Sequence, residues 1–401
     1  MKKSIRKSLA LLLTGSMLAG ACLTGCNSGT ESGENNSDTV KVGFYGTLAG
    51  SGAYVDTAAR MAIEDYIEEI NANGGWLGKQ VELVSYDVSK DPATESVTAA
   101  TRLIEQDDVI AIVGISGTAS TLPIISLCNE TETPCIASAA TSIQVTINED
   151  TGETYPYIFR VCFIDPYQGT ALSDFAYNDL NITKIATLTR VNNAYAMGIQ
   201  QYFKEHYTEL GGEIVAELGY QETEVEFRAQ LTRAADAGAE ALLVAASEYK
   251  DAGLIANQAA DLGLDFTFLF PDGVYAQELL DVAGNNLKNA YISVGADEND
   301  PKFAEFKKEF DEKHADSGYS ANIYTYYAMD SFKLLEYAVK TANSFDGPAI
   351  RDALENAIDA PCFTENITID PATHNPLNKS ITVLTVKDDE YVVYKTYKPE
   401  Q

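Results

Sequence analysis

The chain has 401 residues, 59 acidic against 28 basic side chains, and a formal net charge of −31. Such a balance repels phosphate backbones and anionic headgroups, so nucleic acid is not an expected partner and the protein surface is not expected to adhere to lipid. Lys2, Lys3, Arg6 and Lys7 form a basic head before the apolar run Leu9 to Ala21. That run is too short for an ordinary spanning helix and reads, with its head, as a secretory signal over residues 1–25.

Leu23-Thr24-Gly25-Cys26 follows. It resembles the lipobox of bacterial lipoproteins, which implies cleavage before Cys26 and acylation (palmitate included) of that cysteine. Residues 26–38, CNSGTESGENNSD, have almost nothing to bury and read as a flexible, lipid-anchored linker. The expected location is extracytoplasmic, on the outer face of the cell membrane, held there by the lipid on Cys26.

Beyond residue 38 short apolar runs alternate with helical patterns. Strands are expected at 40–46, 80–87, 109–114 and 134–138, with helices at 54–71, 92–106 and 120–129 between them. The alternation resumes with strands at 184–190, 213–220, 241–247 and 266–271 and helices near 195–210, 225–237 and 251–262. Strands alternating with helices give parallel sheets covered on both faces. Helices are expected at 301–314, 321–341 and 347–357, then two strand-like runs, 380–387 and 390–397, joined by Asp388-Asp389. The pattern breaks around 158–165 and 291–296, as where a chain crosses between lobes. The expected fold class is α/β, with two Rossmann-like lobes joined by a multi-strand hinge. Lobe 1 is taken as 39–160 plus 292–361, lobe 2 as 161–291 plus 362–401.

In open α/β sheets, ligands sit where strand carboxyl ends and helix N-termini converge. Val113 to Thr121, VGISGTAST, is a loop of this kind. Its backbone N–H groups and the hydroxyls of Ser116, Thr118, Ser120 and Thr121 suit a small anion. The second glycine and lysine of a nucleotide-binding loop are missing after Gly114, so a carboxylate fits better than a phosphate. A plainer reading, that Ser120 and Thr121 only cap a helix, stays open on the loop alone.

The next strand end, TPCIASAAT, completes a pattern. Together with VGISGTASTLP it resembles the paired ligand loops of the branched-chain amino-acid-binding protein family, the type I solute-binding proteins of ABC importers. VGFYGTLAGSGAYVDTAARMAIEDYIEEINANGGWLGKQVELVSYD resembles that family's opening, and FRVCFIDPYQG its first crossover. The resemblance implies a type I periplasmic binding protein fold, capture of a small amino-acid-like ligand between two lobes, and delivery to ABC permease subunits. It implies Ser116 and Thr118 at the ligand carboxylate, the Ala139 carbonyl at the ammonium, and Thr141 bridging both. It further implies Tyr195 closing from the second lobe, Asp272 pairing with the ammonium, and Tyr54 and Tyr324 near the mouth and side-chain pocket. Glu248 stands where relatives often carry an aromatic or small polar residue. If it faces the cleft it disfavours a purely aliphatic ligand and suits a polar or basic one. Alternatives left open are urea, short amides or aromatic acids as ligands, and a sensing lipoprotein that signals rather than feeds a transporter.

No catalysis, metal or cofactor is expected. His206, His314 and His374 form no metal-binding or triad pattern, and no nucleophile elbow is present. The protein is expected to act as a monomer. Two disulfides are expected among the body's cysteines: Cys128 with Cys135, which flank a short connection, and Cys162 with Cys362, which the resemblance puts in neighbouring crossovers. Replacing the lipidated residue, Cys26→Ser, is expected to release the protein from membranes or block its processing; unchanged membrane retention and mature mass would exclude acylation there.

Overall fold

The computed structural model describes residues 38–296, 298, 300–377 and 379–398. Cys26, the signal and nearly all of the linker lie outside the described residues. The chain opens with β1 (Thr39–Gly46), α1 (Ala53–Ala72), β2 (Gln80–Asp87), α2 (Pro92–Glu105), β3 (Ile112–Ile115), α3 (Thr118–Thr121), α4 (Ile125–Glu130), β4 (Cys135–Ala137) and β5 (Ile158–Arg160). These five strands form one sheet in the order β2-β1-β3-β4-β5, parallel throughout.

The second set is α5 (Asp165–Asp174), β6 (Lys184–Arg190), α6 (Ala194–Glu209), β7 (Glu213–Tyr220), α7 (Arg228–Asp236), β8 (Ala241–Ala245), α8 (Tyr249–Asp261), β9 (Thr267–Phe270), α9 (Gln277–Ala283) and β10 (Ala290–Val294). The chain then returns to the first lobe for α10 (Pro301–Lys313), α11 (Ile323–Ala342) and α12 (Gly347–Glu355). It ends in the second with β11 (Ile381–Lys387) and β12 (Glu390–Tyr397). The second sheet runs β12-β11-β10-β9-β8-β6-β7, antiparallel where β11 meets β10 and β12 and parallel elsewhere. Asp388 and Asp389 both have positive φ, 52° and 60°, which suits the two-residue turn joining the β11–β12 hairpin.

The inner strands of both sheets are buried on both faces, which is why they read as nearly unbroken apolar runs, while the edge strands β2, β7 and β12 are partly exposed. On β1, Val42 and Phe44 face the core shared with α1 and α11, while Tyr45 faces the core on α2's side. On β9, Phe268 and Phe270 share one core and Leu269 the other. The last two crossings between lobes lie downstream of residues 291 and 361. β10 pairs wholly within the second sheet, and Ala357, Ala360, Ile367 and Ile369 are part of the first lobe's core. The elements β5, α5, α9 and β10 had no counterpart in the sequence reading.

The two expected disulfides are not formed: Cys128, Cys135 and Cys162 are buried free thiols, and Cys362 is a half-buried one. Cys128 and Cys135 are neighbours in the core under β4, and a hydrogen bond with Cys128, then burial, pushes the Cys135 pKa up. They act there as small apolar residues. Cys162 lies in the first crossing, its pKa pushed up to about 12 by burial. Cys362 instead packs on the first lobe's core, because the last crossing comes later in the chain.

The bulged turn of the chain within β3 depends on one glycine. Gly114 has φ +79°, and a Cβ there would sit 2.7 Å from the Phe44 ring. Its N–H donates to Ser331 Oγ at 3.1 Å, which ties the turn to α11. Gly114→Ala is expected to destabilise the fold by about 1–3 kcal/mol, from backbone strain and the clash together. An unchanged urea midpoint would contradict this account.

Candidate functional site

A cavity of about 560 Å³ lies between the lobes. Its polar lining comes from strand carboxyl ends: Thr47 after β1, Ser116 and Thr118 after β3, Ala139 after β4, Arg190 at the end of β6, Gln221 and Glu222 after β7, Ser247 and Glu248 after β8, and Asp272 after β9. This is the placement expected of doubly wound sheets. Tyr54 enters from the start of α1, Tyr195 from the start of α6 and Tyr324 from the start of α11.

Asp272 is the most constrained polar group in the cavity wall. Its Oδ1 accepts from Tyr195 Oη at 2.6 Å and from Gln168 Nε2 at 2.9 Å. Tyr195 Oη in turn accepts from the Gly273 N–H at 2.8 Å. Burial raises the Asp272 pKa, and the bonds from Tyr195 and Gln168 oppose that rise. From the first lobe, Tyr324 Oη donates to the Asp272 backbone carbonyl at 2.7 Å. Tyr54 meets Tyr249 edge to face, with ring centroids 5.8 Å apart. The lobes therefore touch across the cleft on one side.

On the first-lobe wall, Thr118 is buried and its Oγ1 accepts from the Ser142 N–H at 3.4 Å, which leaves its proton free to donate. Asp56 accepts from the Thr47 N–H at 2.7 Å through Oδ2, while its buried Oδ1 has no partner. Burial pushes its pKa up to about 6, against the pull of the nearby Ser116 hydroxyl, which makes no well-formed hydrogen bond to it, and of the Thr47 N–H. On the second-lobe wall, Arg190 binds Ser247 Oγ at 3.0 Å, Glu248 Oε1 at 3.1 Å and Glu222 Oε1 at 2.5 Å. Burial lowers the Arg190 pKa, but the two glutamates outweigh it and leave it raised.

Eight of the nine ligand-contact residues expected from the sequence line this cavity: Ser116, Thr118, Ala139, Tyr195, Asp272, Tyr54, Tyr324 and Glu248. Thr141 does not. It is fully buried, and its hydroxyl lies near Asp165, whose pKa it pulls down, without a well-formed hydrogen bond. Glu248 faces the cleft but is tied to Arg190. Sequence reasoning missed Arg190, Glu222 and Asp56. The first two would have emerged from taking the residue at or just after every strand's carboxyl end. Asp56 lies within a helical pattern that gives no such signal.

With this geometry in view, comparison with known proteins assigns the family. The periplasmic binding protein family model matches residues 39–390, and the chain belongs to that family. It is similar to an amino acid binding protein of Pseudomonas aeruginosa, 29% identical over 309 residues, covering 77% of this chain and 80% of the relative. It is similar in structure to the branched-chain amino acid transporter substrate binding protein LivJ of Streptococcus pneumoniae, in complex with isoleucine. The TM-score is 0.79 at 29% identity, over 90% of this chain and 100% of that one. A solute binding protein of an ABC transporter from Rhodopseudomonas palustris, in complex with 3,4-dihydroxy benzoic acid, gives a TM-score of 0.78 at 25% identity, over 90% and 98%. The chain is thus a type I periplasmic binding protein, extracytoplasmic by family, and these relatives are themselves amino-acid- or solute-binding proteins. No helix among the described residues is long and apolar enough to cross a membrane.

Asp165 stands behind the cavity. Neither carboxyl oxygen has a hydrogen-bond partner, and Gly198 of α6 presses close: a Cβ there would be 2.8 Å from Oδ2. Burial pushes the Asp165 pKa up to about 8, with Asp272 adding to the rise and Thr141 and Arg160 opposing it. Unfolded, an aspartate titrates near 3.9. Between those values the folded state keeps a proton that the unfolded state has lost. Stability therefore falls as pH rises through the window, by at most about 1.4 kcal/mol per pH unit from this group. Asp165→Asn is expected to flatten the fall in Tm between pH 5 and pH 8 and to raise Tm at pH 8; parallel pH profiles for variant and parent would refute it.

Proposed function

We propose that the protein captures an α-amino acid in the cleft between its lobes and delivers it to an ABC permease, while held to the membrane by a lipid on Cys26. The observation that carries this reading is a buried carboxylate, Asp272, in the same cavity as the hydroxyl loop of Ser116 and Thr118. A zwitterion needs both poles served: donors for its carboxylate and acceptors for its ammonium. In this reading Thr118 and the neighbouring backbone N–H groups hold the carboxylate, while Asp272 and the Ala139 carbonyl receive the ammonium. Thr141 acts indirectly, by shaping the loop that carries Ala139. Charge-assisted hydrogen bonds in a site closed to water are roughly twice as strong as neutral ones, which favours ligands that bring both charges.

Tyr195 and Gln168 orient the Asp272 carboxylate rather than touching the ligand with the atoms they already use. Tyr54, Tyr249 and Tyr324 wall the side-chain region. The family's role in transport, the similarity to amino-acid-binding relatives and the lipobox-like segment support delivery by a tethered protein.

Amino acids in a thermal-shift panel should raise Tm according to RT ln(1+[L]/Kd). For a hit, Asp272→Ala should weaken binding by about 2–5 kcal/mol, because the ammonium is left unpaired in a closed site. Calorimetry showing unchanged affinity in that variant would remove Asp272 from the ammonium site.

A further inference from the structure

We propose that the bound amino acid carries a second cationic group, an ammonium or guanidinium at the end of its side chain, received by Glu248 with Tyr54 and Tyr249. The proposal rests on reading the cleft as an amino-acid site and adds the class of solute.

The first support is a charge count. Asp56, Asp91, Glu222, Glu248 and Asp272 line the cavity, against one basic side chain, Arg190, among its described lining residues. A neutral zwitterion leaves this surplus unchanged, since its ammonium answers Asp272 and its carboxylate adds a negative charge. A second cationic group reduces it. Glu222 has a side chain 74% exposed and alone would be a solvated rim charge. Asp56 is not: only 4% of it is exposed, and its Oδ1 has no donor. A buried carboxylate without a cation partner adds negative potential to the cavity wall that water screens poorly.

The second support is the build of the side-chain region. Glu248 uses Oε1 for Arg190, and its side chain is 46% exposed. Tyr54 feels the negative charge of Glu278 and then Glu248, and its ring meets Tyr249 at 5.8 Å and Tyr324 at 6.3 Å. Tyrosine faces beside a carboxylate form a receptor for a cation, which gains from both the ring quadrupole and the charge. The rival solutes fit less well. An aliphatic side chain would meet Asn192, Gln221 and Glu248 where it needs an apolar wall. An anion would have to displace two glutamates from Arg190 in a cavity already negative.

The test is calorimetry on the mature protein with arginine, its neutral isostere citrulline, lysine and leucine. Arginine or lysine should bind at least about tenfold tighter than citrulline and leucine, a preference that shrinks as salt is raised. Glu248→Gln should collapse the arginine-to-citrulline ratio, and circular dichroism checks that this half-exposed position has not disturbed the fold. Leucine or citrulline binding as tightly as arginine would overturn the inference and leave the amino-acid reading standing. An unchanged ratio in Glu248→Gln would overturn the role of Glu248. Binding of agmatine, which lacks the carboxylate, as tightly as arginine would instead overturn the amino-acid reading and uphold the cationic subsite. Binding of none of these would overturn both.

Discussion

Burying the Asp272 carboxylate is the constraint around which the cleft is organised. An ionised carboxylate taken out of water costs several kcal/mol unless it is paired or hydrogen-bonded. Among the described residues its side-chain partners are the neutral Gln168 and Tyr195 rather than a cation. Gln168 from α5 and Tyr195 from α6 donate to the same oxygen, and Tyr324 from the opposite lobe fixes the backbone carbonyl of the same residue. Elements far apart in sequence therefore meet at one residue. Two hydrogen bonds fix the carboxylate's direction, and the charge they leave uncancelled is what a ligand ammonium can meet. Orientation is settled before binding, so a ligand loses less freedom in the complex than it would against a mobile side chain.

The topology explains why such a group can stand opposite a hydroxyl loop. Each lobe is doubly wound, so the loops that can bear a ligand all leave one edge of each sheet. Three chain crossings set those two edges facing each other. The walls are then free to differ. The first lobe offers Ser116, Thr118 and backbone N–H groups, while the second offers Asp272 and the ion-paired cluster of Arg190, Glu222 and Glu248. The hinge region is held by its own buried polar bonds: Arg160 to the Ala140 carbonyl and Thr146, and Lys379 to Thr364 and Asp330. These tie the crossing segments to the first lobe without depending on disulfides.

Much of this was legible in the sequence, for a physical reason. Strands buried on both faces give nearly unbroken apolar runs, as in KIATLTR, whose observed limits Lys184–Arg190 coincide with the run, whereas the edge strand Gln80–Asp87 mixes polar and apolar residues and is largely half-exposed. The limits of the last two crossings were not legible, because a strand such as β10 has the same composition whichever sheet it joins. α5 begins at Asp165-Pro166 with a weak apolar face, so helical periodicity could not reveal it. The cysteine pairs failed in two ways. Cys128 and Cys135 are close but remain thiols, whereas Cys362 was assigned to a crossing that lies further on. The loops of the site were legible because function there sits on short polar segments between apolar ones. Thr141 belongs to such a segment, yet its burial against Asp165 is a tertiary fact that spacing does not carry.

Three buried carboxylates near the cleft separate what binds from what supports. Desolvation raises all three, and each has a different outlet. Asp165 has no hydrogen-bond donor and does not line the cavity, so the proton itself is its partner through much of the neutral range. Asp272 has two donors on one oxygen and lines the cavity, so a cation in the cleft can reach it. Asp56 lies between: one oxygen is satisfied by the Thr47 N–H, the other is bare, and its pKa of about 6 leaves it mostly ionised at pH 7. A cleft that keeps buried carboxylates without partners is less stable than one without them, and any ligand that pairs with them adds its binding free energy to the folded state. Their separation also limits what one solute can do. A single ammonium seated at Asp272 leaves the charges of Asp56 and Glu248 on the wall, so a solute with only one positive charge uses only part of the field this cleft has been built to present.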